Sequence, residues 1–149
     1  MIKENFNIKG DLRIILRDTV TGEVKLDRLE KNLVVTAGKT YIASRMSDAS
    51  ATVMSHMAVG TDATAPGGTD IALFAEVSRV ALTVAGGTPT ANAILYSASF
   101  GPGVGTGALV EAGIFNAASG GTMLSRTTFA VVNKGAADEM IINWTVTVG

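Results

Sequence analysis

Few residues in this chain are of types that do chemistry. The single histidine, His56, lies between Met54 and Met57 in an apolar stretch. A general base or metal ligand needs partners, and no second histidine or suitably spaced acid accompanies it. It reads as a structural residue. Asp62 and Asp70 bracket the segment TDATAPGGTD (61–70). With backbone carbonyls they could hold a hard cation such as calcium. Two carboxylates are few for that task, and aspartate is a common turn residue because its side chain bonds nearby backbone. The turn reading is preferred. The run GPGVGTG (101–107), with GVGTGA at 103–108, superficially matches a phosphate-binding loop. Such a loop works only where a strand passes into a helix whose N-terminus meets the phosphate. A second β-like run follows here, so the run is expected to be the tip of a β-hairpin. Serine and threonine are plentiful, but no basic partner activates one as a nucleophile.

Glu111 and Arg126 are lone charges inside apolar strands. A hairpin turning at 117–121 brings them near one another. The expectation is a cross-strand ion pair of about 0.2–1 kcal/mol if exposed. The other reading is a charged contact with a partner subunit.

The chain has 149 residues and no cysteine. That size fits one domain with an adequate core, residues 1–149. Without cysteine, disulfides and thiolate chemistry are excluded. The N-terminus carries no basic segment followed by an apolar run, so no signal peptide is expected. No apolar stretch approaches about 18 residues, so no membrane partner is expected. Formal net charge is −1, too small to imply attraction to nucleic acid. Basic residues between 9 and 31 alternate with acids, so no groove for nucleic acid emerges.

The distribution of charge is more informative than its sum. Residues 1–48 hold nine of the twelve Lys/Arg and seven of the thirteen Asp/Glu; the other 101 residues hold three and six. An average domain carries about 25% charged residues. The larger part of this chain must therefore present a neutral surface, which repels neighbours poorly. Such a surface suits a protein packed in an assembly.

The elements follow from periodicity. Residues 6–18 and 23–27 flank Thr-Val-Thr-Gly (19–22) and read as a charged N-terminal β-hairpin, preceded by an arm, within 1–31. Thr36 is a plausible N-cap, and Ala37, Tyr41, Ile42 and Met46 recur at helical spacing, so one helix is expected over 36–48. Residues 53–149 form a β-rich body. Strands are expected at 53–60, 79–84 (Val80, Leu82, Val84 on one face), 94–100, 109–115 (Val110, Ala112, Ile114 on one face), 123–131 and 140–148. The last has the clearest alternation, with Met140, Ile142, Trp144, Val146 and Val148 on one face. Residues 71–76 are either a helical turn or an extended approach. Short strands separated by Gly and Pro turns define the fold class as mainly β: a β-sandwich or jelly roll with an N-terminal β-hairpin and one short helix.

Three runs resemble small structural virion proteins of tailed bacteriophages. They are Lys31-Asn-Leu-Val-Val-Thr-Ala-Gly-Lys39; Met57-Ala-Val-Gly-Thr-Asp62 with Thr69-Asp-Ile-Ala-Leu73; and Val110-Glu-Ala-Gly-Ile-Phe-Asn-Ala-Ala-Ser-Gly-Gly-Thr-Met-Leu-Ser-Arg126. The ending Asn143-Trp-Thr-Val-Thr147 is similar too. The resemblance covers about residue 31 to the end. It implies a non-catalytic protein without cofactor or metal, located in the virion after assembly in a host cytoplasm. Its partners would be other virion proteins, foremost the major capsid protein, with self-association into a homo-oligomer. The resemblance does not choose between shell and tail; size, single-domain character, neutral surface and absence of catalytic groups make a capsid decoration or cement protein the expected role, with a tail, baseplate or fibre component as the alternative. The charged N-terminal part falls largely outside the resemblance, and Lys3, Glu4, Lys9 and Asp11 are the candidate partner-binding residues.

Overall fold

The computed structural model describes residues 7–47 and 51–149. Lys3 and Glu4 lie outside the described residues.

Strand β1 (Ile8–Asp18) alternates strictly, with Leu12, Ile14 and Leu16 buried and Lys9, Asp11, Arg13 and Arg17 exposed. A turn carries it into β2 (Val24–Lys31). The Asp18 carboxylate accepts the amides of Val20 (2.8 Å) and Thr21 (3.1 Å), and Gly22 takes φ 76° to close the turn. The chain then crosses to the second sheet through β3 (Leu33–Val34) and enters α1 (Thr36–Arg45). The helix is shorter than the expected 36–48. Its N-cap is Val35, with no side-chain cap, and Thr36 is the first helical residue rather than the cap. A Cβ at Gly38 would collide with the Leu124 carbonyl, so glycine is what lets this helix lie against the sheet.

The remaining strands are β4 (His56–Gly60), β5 (Glu76–Ala81), β6 (Thr88–Thr90), β7 (Ala93–Phe100), β8 (Gly107–Phe115), β9 (Met123–Lys134) and β10 (Asp138–Val148). They form two five-stranded antiparallel sheets, ordered β2-β1-β10-β7-β6 and β3-β9-β8-β4-β5. The architecture is a β-sandwich with one short helix. Between the sheets Leu12, Ile14, Phe100, Ile142 and Trp144 meet Met57, Val59, Leu109, Ala112 and Ile114. On one side the sandwich is stitched shut, since Thr127 Oγ1 donates to the Lys31 carbonyl (2.6 Å) and Arg28 Nη2 to the Ala130 carbonyl (2.5 Å).

Three expectations need correction. The strand expected at 79–84 runs instead over Glu76–Ala81, and beyond its end Leu82 is buried while Val84 is exposed. GPGVGTG is not a hairpin tip: it carries the chain from β7 in one sheet to β8 in the other. In β8, the inward set is Leu109, Ala112 and Ile114, not Val110 with the latter two. A register shift between Leu109 and Glu111 breaks the alternation there. Strand alternation carried through that shift gives the wrong face on its near side. The segment 71–75 contains neither helix nor strand.

Candidate functional site

The longest irregular connection, 61–75, joins β4 to β5 and lies across the outer face of the second sheet. There Leu73 joins Phe115, Ala58, Met123 and Val35 in a small core separate from the main one. A sheet face that is buried on its outer side explains why β4 and β8 read as nearly continuous apolar runs.

A buried polar node fastens this strap. Arg126 on β9 donates from Nε (3.0 Å) and Nη2 (2.9 Å) to Glu111 Oε2 on β8. Its Nη1 donates to the Thr64 carbonyl (2.9 Å) and to Asp70 Oδ2 (3.2 Å). Glu111 in turn accepts backbone amides from the strap: Ala75 at 2.8 Å, Phe74 at 3.2 Å and Asp62 at 3.4 Å. The Phe74 ring lies over the Arg126 guanidinium, its centroid 4.2 Å from the central carbon. Neither Glu111 nor Arg126 has exposed surface. The two do pair as the hairpin predicted, but the pair is internal rather than exposed. Gly60 belongs to the same device: a Cβ there would strike the Ala75 carbonyl and the Glu111 carboxylate.

Asp62 and Asp70 both bond their own loop. Asp62 Oδ1 accepts the Thr64 amide (2.8 Å), and Asp70 Oδ2 accepts the Gly67 amide (2.8 Å). The hydrogen bonds from Thr64 hold the Asp62 carboxyl below its ordinary pKa. Asp70 also reaches Arg126, a role not visible from turn chemistry alone. Among the described residues no group of three or more His, Cys, Asp or Glu could hold a metal ion.

Two further fasteners complete the set. Arg79 on β5 pairs with Glu76 (2.7 Å), donates to the carbonyls of Ala117 and Gly120 (both 2.9 Å) and lies 3.7 Å over the Phe115 ring. It thus holds the β8–β9 turn against the sheet. At the opposite end Asp138 is buried and meets Lys25 Nζ at 2.8 Å and the Gly135 amide at 2.8 Å. Hydrogen bonding to Lys25 lowers the Asp138 pKa and raises that of Lys25. Lys134, buried beside them, donates to the Gly101 carbonyl at 2.9 Å, and burial lowers its pKa. His56 Nδ1 lies 2.7 Å from Ser55 Oγ, half-buried at the start of β4.

Of the expected partner-binding residues, Lys9 and Asp11 fall on the outer face of the first sheet, two residues apart on β1 and both exposed. Asp11 lies opposite Lys31 and 3.5 Å from its ammonium. The same face carries the bidentate Arg13–Asp27 pair (2.8 and 2.6 Å) and the Arg17–Glu139 pair (2.8 Å). It is a mixed-charge surface, in contrast to the strap-covered face of the other sheet.

No family model, curated protein or solved structure matches the chain. No helix among the described residues is long and apolar enough to cross a membrane.

Proposed function

We propose that this is a non-catalytic structural virion protein, a capsid decoration or cement protein that binds the outside of an assembled phage shell and bridges its subunits. The observation that supports this reading is the fate of the charges in the β-rich body. All nine charged side chains of residues 51–149 bond within the chain: Asp62, Asp70, Glu76, Arg79, Glu111, Arg126, Lys134, Asp138 and Glu139. Most act as fasteners of loops and turns, and Glu139 ties β10 to β1 and β7. What they leave outside includes apolar groups such as Ile71, Phe74, Val77, Val84 and Val104. A neutral surface dotted with apolar groups sheds water at little cost when another protein covers it.

The mechanism is mass action. A protein that binds only the assembled lattice stabilises it by its binding free energy. Self-association at a symmetry axis of the shell fits the same scheme. The test is to add the purified chain to assembled phage shells and to isolated tails and to image both. Density on the shell surface, with a rise in the shell's disruption temperature, supports the reading. Density on tails alone overturns it in favour of an attachment component.

A further inference from the structure

An apolar cleft of about 290 Å³ opens between α1 and the adjoining end of the sandwich. Tyr41 and Ile42 of the helix form one wall, and Ile94, Tyr96, Val146 and Val148 of β7 and β10 form the other. An engineered cavity of 150 Å³ lined by apolar side chains holds benzene. This space is nearly twice that, the size for two fused rings.

The cleft has one unusual polar group. Tyr96 is only 5% exposed, yet its hydroxyl is not among the fully buried polar atoms that lack a partner, so it reaches the cleft. It lines the cleft together with the Tyr41 phenol, and the two are close enough to interact electrostatically. Burial pushes the Tyr96 pKa up to about 12, so the phenol keeps its proton at neutral pH. A tyrosine hydroxyl both donates and accepts, so an acceptor atom on an occupant of the cleft would pair with it. Arg45, at the same cleft, holds the Ala51 carbonyl at 2.6 Å and disfavours a cationic occupant.

We propose that this cleft binds a compact, uncharged, largely apolar molecule of about two fused rings, carrying one hydrogen-bond acceptor that meets the Tyr96 hydroxyl. Apolar walls with one placed polar group are the usual composition of a small-molecule site. The cleft's chemistry is independent of the virion reading.

Quinoline and naphthalene make the matched probes, since they share a shape and differ by one ring nitrogen. Each is titrated into the full chain while the side-chain methyl signals of Ile42, Ile94, Val146 and Val148 are followed by NMR. Saturable shifts at these methyls are expected with both probes. Tyr96→Phe keeps the ring and removes only the hydroxyl. It should weaken quinoline about three- to tenfold, the worth of one hydrogen bond, and leave naphthalene unchanged. Val148→Trp, which adds bulk to the wall, should weaken both probes. Absence of saturable shifts in the wild-type chain overturns the site. Equal quinoline affinity in wild type and Tyr96→Phe, with the variant's melting temperature retained, overturns the role of the hydroxyl.

Discussion

Arg126 and Glu111 meet 2.9 Å apart where neither side chain has any exposed surface, and the strap 61–75 is hydrogen-bonded to both. Removing one partner of a buried ion pair leaves the other uncompensated and costs about 3–5 kcal/mol. Arg126→Met and Glu111→Leu are each expected to fall in that range by urea denaturation. The double variant should cost less than Glu111→Leu alone. In both, the amides of Phe74 and Ala75 lose their acceptor, while the charge left behind by a single change is gone. A double-mutant cycle reads this coupling directly. Single costs under about 1 kcal/mol would place the pair in the exposed class instead.

Trp144 has no exposed surface and packs with Ile142 and Val146 on the inner face of β10. Trp144→Ala is expected to cost about 3–5 kcal/mol, a large share of a domain's stability. Among the described residues the indole nitrogen has no hydrogen-bond partner, so Trp144→Phe gives up packing but no hydrogen bond. It should cost markedly less than the alanine change in the same denaturation series.

The Asp138–Lys25 pair makes stability depend on pH at both ends. The folded-state pKa of Asp138 is depressed, so its contribution is fully present above the unfolded value, about 3.9. It is lost as pH falls through the folded value. The Lys25 pKa is raised, so its contribution is present below the unfolded value, about 10.4, and is lost as pH rises through the folded one. Melting temperatures of the wild type and Asp138→Asn should converge as pH falls below about 4 and separate at pH 7. A constant gap from pH 7 down to pH 2 would show that the pair does not supply it.

The buried face of a strand is legible from alternation wherever the strand has one wet and one dry face. β1, β7 and β10 obey this, and the inner positions 94, 96, 98, 100, 142, 144 and 146 were legible from period two alone. Alternation failed where it physically should. β8 contains a bulge and is covered on both faces, so its pattern could not report which residues face the main core. The two-residue β3 and the Thr-Pro-Thr edge strand β6 are too short to carry a period. The Glu111–Arg126 proximity was readable from a hairpin. Its burial was not, because what covers it is an irregular loop 36 to 50 residues away in sequence from Glu111. One signal was present: Asp62, Gly60 and Asp70 crowd the segment that closes over the pair. Only the tertiary placement of that segment shows which charge each of them answers.

Lys9 and Asp11 are both exposed on the outer face of the first sheet, in cross-strand register with Thr147 and Thr145. Alanine at either position disturbs nothing buried, so stability should stay within about 0.5 kcal/mol of wild type. If this face forms the rim of the proposed contact with the shell, each charge contributes as an exposed pair does, about 0.2–1 kcal/mol. The double variant Lys9→Ala/Asp11→Ala should then bind assembled shells about two- to thirtyfold more weakly. The difference should shrink as salt is raised, because the screening length is about 10 Å at 0.1 M and 3 Å at 1 M. Rim charges act on association more than on residence, so the change should appear mainly in the on-rate. Sedimentation of shells with labelled protein across a salt series, paired with surface-binding kinetics, measures both. Equal binding of the variant and wild type at every salt concentration would remove this face from the interface. The neutral, apolar-dotted surface around Ile71, Phe74 and Val77 would then be the face to substitute next.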